Sequence, residues 1–248
     1  MNPDPIAGQV YLVGAGPGDP NLLTLRALHL LQKADVILPD DLVSDEILAL
    51  AHAGATIIPV GKRCGQPRIT QAGIHELMLL HAGRGQSVVR LKSGDPLVFG
   101  RANEEIEALR EAGIQFEIVP GITAAFAVAA SLKTPLTDRN SASKLILATA
   151  HHAANKTAPV AWEGVFPADS TLVLYMPGRD FAGLSASLMA AGIPPETPVA
   201  AVSKASQSTD KFRRLSMAGM LRGSTRPAME PPAGRPLALP TTRACHRW

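Results

Sequence analysis

Five short stretches hold the residues that could do chemistry, and each follows a run of apolar residues. They read GAGPGDP at 14–20, PDDLVS at 39–44, GKR at 61–63, LKSGDPLVFGR at 91–101 and PGIT at 120–123. The first is glycine-rich and invites comparison with the dinucleotide fingerprint G-x-G-x-x-G. The match is incomplete: Asp19 stands where the last glycine belongs, and Pro17 withdraws one backbone N–H from any phosphate cradle. A compact zwitterionic ligand, closely approached by backbone, suits the loop better than NAD. The charged residues on the other loops each have a plain reading beside the functional one. Asp40 or Asp41 can cap a helix that starts near Ser44, Lys62 can be a solvated surface lysine, and Asp95 can bond its own loop or a ligand. Met176, after an apolar run, reads as core on its own. His151 and His152 are adjacent, so on a strand they would point to opposite faces and could not chelate one metal; no metal is expected.

What makes the five stretches informative is where they fall. From residue 9 the chain alternates short β-branched runs with longer stretches of helical spacing, the pattern of parallel strands joined by crossover helices. Strands are predicted at 10–13, 36–38, 56–60, 87–91 and 116–119, and every one of the five stretches follows such a strand directly. In an open parallel sheet those points share one edge, where ligands of α/β proteins bind. The spacing predicts a helix after Asp19 as N-cap and Pro20 at its first position, with Leu23, Ala27, Leu30, Leu31 and Ala34 along one face. Further helices are predicted at 44–52, 71–83, 102–112 and 122–132, the one at 102–112 with Glu104 and Glu105 at its dipole-favoured start. A polar stretch near 134–143 marks a domain boundary, followed by strands at 145–149, 171–175 and 199–202 and a helix at 180–191. The expected division is an α/β domain over 1–133, a second α/β domain over 134–221, and a tail over 222–248. Five prolines interrupt that tail, which is expected to be poorly ordered and to hold no strand.

Length and charge set the outer limits. A chain of 248 residues with 46% hydrophobic and 18% charged residues has the composition of a folded protein with a sizeable core. The net charge of +3 suggests an anionic polymer as partner until its distribution is considered. Five arginines and one glutamate lie in 222–248, leaving 19 basic and 20 acidic residues before them, so the body is about neutral. Nucleic acid is therefore not an expected partner. Cys64 and Cys245 form neither a disulfide framework nor a C-x-x-C pair, and a reducing cytoplasm fits. No signal peptide or membrane span is read, so no membrane partner is expected.

Taken together, GAGPGDP, PDDLVS, GKR, SGDP with VFGR, PGIT and LYMPG resemble the tetrapyrrole (corrin/porphyrin) methylase family over roughly residues 9–215. The resemblance implies two α/β domains with S-adenosylmethionine bound between them, S-adenosylhomocysteine as product, and a homodimer. It implies that Pro17, Ser93, Gly94, Asp95, Val98, Thr123, Ala124, Met176 and Ala205 hold the cofactor. It also implies that Asp40 is the proton acceptor and Lys62 the proton donor. The implied reaction is C-methylation of uroporphyrinogen III at carbons 2 and 7, giving precorrin-2 for sirohaem or cobalamin. That substrate bears eight carboxylates, and Arg63, Arg101 and Arg139 are the cations expected to meet them. A later corrin intermediate or ribosomal RNA as substrate, or a cofactor-binding but inactive protein, are the alternatives. The family pattern is broken by Pro39, Ser93, Asp138 and Ala205, and by the proline- and arginine-rich tail standing where the family closes with an apolar strand.

Overall fold

The computed structural model describes residues 3–61, 69–150, 162, 169–203, 211–221 and 237–241. The chain forms two compact units, Met1–Ala124 and Ala125–Ala244. In the first, β1 (Val10–Gly14), β2 (Val36–Pro39), β3 (Thr56–Ile57), β4 (Val88–Lys92) and β5 (Phe116–Val119) form one parallel sheet in the order β3-β2-β4-β1-β5. The connecting helices are α1 (Leu25–Leu31), α2 (Asp45–Leu48), α3 (Gln71–Gly83) and α4 (Ala102–Glu111). Both faces of the sheet are covered, as a parallel sheet requires, and the alternation along β1 shows how. Tyr11 and Val13 pack with Ala27, Leu30 and Leu31 of α1 in one cluster. Val10 and Leu12 join Met78 of α3 and Leu109 of α4 in the other. Leu30, Leu31, Met78 and Leu109 are fully buried, each stabilising the unit by about 1.5–3 kcal/mol.

The predicted first helix divides in two. Asp19 does accept from Asn21 N, but it caps only a 3-10 turn at Pro20–Leu22; α1 then starts afresh under Thr24, whose hydroxyl accepts from Ala27 N. Thr24 is a second N-cap signal inside the stripe, and it wins because it follows the break. The predicted strand at 56–60 and helix at 44–52 shorten to β3 and α2. Because all five strands run parallel, the stretches that follow them lie along one edge of this sheet.

The second unit begins with all but the first residue of α5 (Ala124–Leu132), ahead of the polar turn at 134–143. Its sheet holds β6 (Lys144–Thr149), β7 (Ser170–Tyr175), β8 (Pro198–Ser203), β9 (Lys211–Ser216) and β10 (Leu237–Thr241) in the order β6-β7-β10-β8-β9. Only β8 and β9 pair antiparallel. Helices α6 (Phe181–Ala190) and α7 (Met217–Leu221) contribute Leu188, Met217 and Met220 to a core with Leu172, Leu174 and Val199. Strand β10 corrects the expectation that the tail holds no strand. Leu237–Thr241 pairs with β8 along its length and with β7 at Ala238, filling a slot between two parallel strands. The prolines counted against that segment cluster before it, and Pro240 alone lies inside, withholding one ladder donor. Among the described residues no helix is long and apolar enough to cross a membrane.

Candidate active site

The loops after β1, β4 and β5 meet at their glycines. A Cβ placed on Gly121 would lie 2.2 Å from the Gly94 carbonyl oxygen and 2.8 Å from Gly14 Cα, so three backbones touch where a side chain cannot fit. Gly16 N donates to Gly94 O (3.1 Å) and Gly94 N to Gly16 O (2.7 Å), while Ala15 N donates to Lys92 O (2.7 Å). Asp95 completes the tie: Oδ1 accepts from Leu97 N (2.8 Å) and Oδ2 from Gly121 N (3.0 Å). Its carboxylate thus bonds its own loop and the next one. Ser93, Val98 and Pro17 are half-buried beside this junction, and Thr123 is buried immediately before Ala124 opens α5. A cradle of close backbone and small side chains fits a compact ligand with an amino-acid end, and S-adenosylmethionine has one.

A second hollow lies on the same edge. A cavity of about 480 Å³ is lined by Asp40, Gln71, Arg90, Lys92, Phe99 and Arg101, among others. The strand period brings three of these together. Arg90 and Lys92 share a face of β4 with Val88, and Leu38 pairs with Arg90 across β2 and β4, so Asp40, two residues on, follows onto that face. Buried charges there must be paired. Arg90 Nε donates to Glu105 Oε1 (2.9 Å), Lys92 Nζ to Glu105 Oε2 (2.7 Å), and Arg90 Nη2 to Asp40 Oδ1. Arg90 Nη1 also donates to Leu38 O (3.0 Å). Arg90 and Lys92 are each 2% exposed and Glu105 is fully buried. Burial opposes the Arg90 charge, but Asp40 and Glu105 outweigh it and hold the guanidinium above its ordinary value. Burial, helped by repulsion from Arg90, holds Lys92 below its ordinary value despite Glu105.

The glycine after β3 closes this side. A Cβ on Gly61 would come within 2.1 Å of Asp41 N, so the loops carrying Asp40 and Lys62 touch through backbone. Lys62, Arg63 and Ala205 themselves lie outside the described residues, as do His151 and His152. Arg101 sits on the cavity rim with its guanidinium in a two-point pair with Glu104 (2.7 and 2.6 Å), whose hydrogen bonds raise the arginine and lower the glutamate. Both Phe99 and Arg101 hold positive φ (53° and 56°) around Gly100. In the second unit, Arg139 is exposed at the tip of a turn closed by Asp138 and Ala142. Met176 follows β7 at φ 49°, a left-handed conformation that a core methionine has no need of. Sequence reading missed the network around Glu105, which it took only as a favourable helix start. The missed signal was a strand, VVRLK, with two cations alternating with apolar residues.

A doubly wound sheet whose strand-end loops gather beside a charged cavity is the frame of a ligand-binding α/β protein. The family model for tetrapyrrole (corrin/porphyrin) methylases matches residues 9–220, and the chain belongs to that family. A uroporphyrinogen-III C-methyltransferase of Pseudomonas aeruginosa is 45% identical over 92% of this chain and 92% of its own length. A siroheme synthase of Halorhodospira halophila is 48% identical over 80% of this chain, which spans only 40% of that longer protein. Among solved structures, a uroporphyrin-III C-methyltransferase from Thermus thermophilus complexed with S-adenosylhomocysteine matches with a TM-score of 0.76. It is 36% identical, covering 90% of this chain and 94% of its own.

Proposed function

We propose that the chain transfers methyl groups from S-adenosylmethionine to carbons 2 and 7 of uroporphyrinogen III, giving precorrin-2. The observation that carries this reading is the pairing, on one sheet edge, of a backbone cradle at Gly14, Gly94 and Gly121 with a cavity holding Asp40 among three cations. The relatives from Pseudomonas aeruginosa and Thermus thermophilus support it. When bound, S-adenosylmethionine supplies an electrophilic methyl group on a sulfonium. The cradle, with Pro17, Ser93, Gly94, Asp95, Val98, Thr123 and Ala124, holds it; Met176 and Ala205 complete its contacts. Asp40 accepts a proton released as the macrocycle is methylated, and Lys62 returns one as the ring redistributes its protons. Arg63, Arg101 and Arg139 meet substrate carboxylates, which requires Arg101 to share its guanidinium with Glu104.

The protein acts in this reading as a cytoplasmic homodimer, without nucleic-acid or membrane partners. Light scattering should accordingly give twice the 26.0 kDa of one chain. Release of S-adenosylhomocysteine, measured with uroporphyrinogen III, a later corrin intermediate or ribosomal RNA as acceptor, tests the function. Product with the first alone is expected. Product only with either of the others, or none while cofactor still binds, overturns it.

A further inference from the structure

In the proposed function Asp40 has a task, and the buried charges beneath it have none. Two cations on a strand and a fully buried carboxylate on the helix packed against it are costly to place in a core, and apolar residues of similar size would serve packing as well. We infer that Arg90, anchored by Glu105, is the positioning residue that fixes the Asp40 carboxylate at the cavity, leaving Oδ2 to accept the proton. This rests on the proposed role of Asp40.

Three features point the same way. Arg90 is the one described residue bonded to both carboxylates, with Nε on Glu105 and Nη2 on Asp40 Oδ1. Its remaining nitrogen is held by the carbonyls of Leu38 (3.0 Å) and Leu91 (3.3 Å), the two residues flanking the β2–β4 pairing next to Asp40. The guanidinium therefore cannot swing without breaking bonds on three sides. The charges also balance: Arg90 and Lys92 oppose Glu105 and Asp40, so the cluster is neutral when Asp40 is ionised, the form that can accept a proton. Lys92 compensates the second Glu105 oxygen, and Gln71 reaches the first at 3.4 Å. A rigid planar fork spanning two carboxylates is a task for arginine that a lysine cannot perform.

The test compares Arg90→Lys, which keeps the buried charge but cannot span both carboxylates, with Glu105→Gln, Asp40→Asn and the double variants. Each of Arg90→Lys and Glu105→Gln should lower kcat by about 10–100-fold with KM and cofactor Kd within about twofold. Neither should slow an Asp40→Asn enzyme further, because both act through Asp40. Losses that multiply in the double variants overturn the inference, as does Arg90→Lys at the wild-type rate. A structural readout stands apart from turnover: the Arg90 Nη–H signals in NMR should be separately resolved in the wild-type protein and averaged in Glu105→Gln. Resolved signals in both overturn the anchoring. If the wild-type protein does not methylate uroporphyrinogen III, the proposed function falls, and the NMR comparison still decides whether Glu105 fixes Arg90 on Asp40. Should Glu105→Gln fail to fold, Arg90→Lys carries both readouts, with the Asp40 side-chain carboxyl signal, sharp in the wild type and broadened in the variant, replacing that of Arg90.

Discussion

Replacing Gly121 by alanine is the cleanest perturbation of the cradle, because no positive φ confuses the result. The added methyl would sit 2.2 Å from Gly94 O and 2.8 Å from Gly14 Cα, where ordinary contact begins near 3.4 Å. Both neighbours are backbone, so relief requires a loop to retreat by about 1 Å rather than a side chain to rotate. The Gly94 carbonyl cannot retreat without stretching the 3.1 Å bond it accepts from Gly16 N, and Gly121 cannot without losing Asp95 Oδ2 at 3.0 Å. Overpacking of this kind costs about 1–3 kcal/mol. For a chain of this length that is a fall in Tm of about 2–12 °C. Loss of one well-made contact to the ligand should raise the Kd for S-adenosylhomocysteine by about 10-fold, measured by calorimetry. Gly113→Ala is the control: at φ +67° with nothing within 4 Å, it strains the backbone by about 1 kcal/mol away from the cradle and should leave Kd unchanged. A Gly121→Ala protein with wild-type Tm and Kd would refute the reasoning, and so would equal Kd changes in both variants.

Three further outcomes are expected. Asp95→Ala leaves Leu97 N and Gly121 N without their acceptor and should cost about 1.5–3 kcal/mol by urea denaturation, with Asp95→Asn losing less; equal losses would contradict this. Lys92→Met leaves Glu105 with one of its two cationic partners, Arg90, and should cost about 3–5 kcal/mol, much of it recovered in Lys92→Met with Glu105→Gln; no recovery would show that the charges are not coupled. Asp35 is held below its ordinary 3.8 by the backbone N–H and then the hydroxyl of Ser87. Its folded form therefore favours the carboxylate, so its stabilisation is present above about pH 4 and lost as pH falls below that. The stability difference between wild type and Asp35→Asn should accordingly be seen at pH 7 and vanish at the acid end; a constant difference would exclude the linkage.

The sheet edge was legible because two periods are written plainly into the first unit. The alternation of β1 and the stripe of α1 place their residues on the expected faces, and the strand ends then fix where the loops emerge. The same rule of two, applied to VVRLK, places Arg90 and Lys92 on the face of Val88; what sequence lacks is the partner. Glu105 lies on a helix 13 residues beyond Lys92, and only the packing of α4 on that face shows that it is a buried counter-charge and not a helix-dipole residue. Strand β10 was hidden for a different reason: a five-residue strand with a proline in it has little local signal and is specified by the slot between β7 and β8. Met176 and Arg101 could be named by motif, but their left-handed backbones are tertiary facts that no propensity predicts.

In the proposed function this sheet edge methylates a tetrapyrrole twice. Incubating the protein with uroporphyrinogen III and S-adenosylmethionine carrying a ¹³C-methyl group, then reading the product by NMR, tests it most directly. Two new methyl resonances, assigned to carbons 2 and 7, are predicted. Label at any other carbon, or a macrocycle without label, would contradict it.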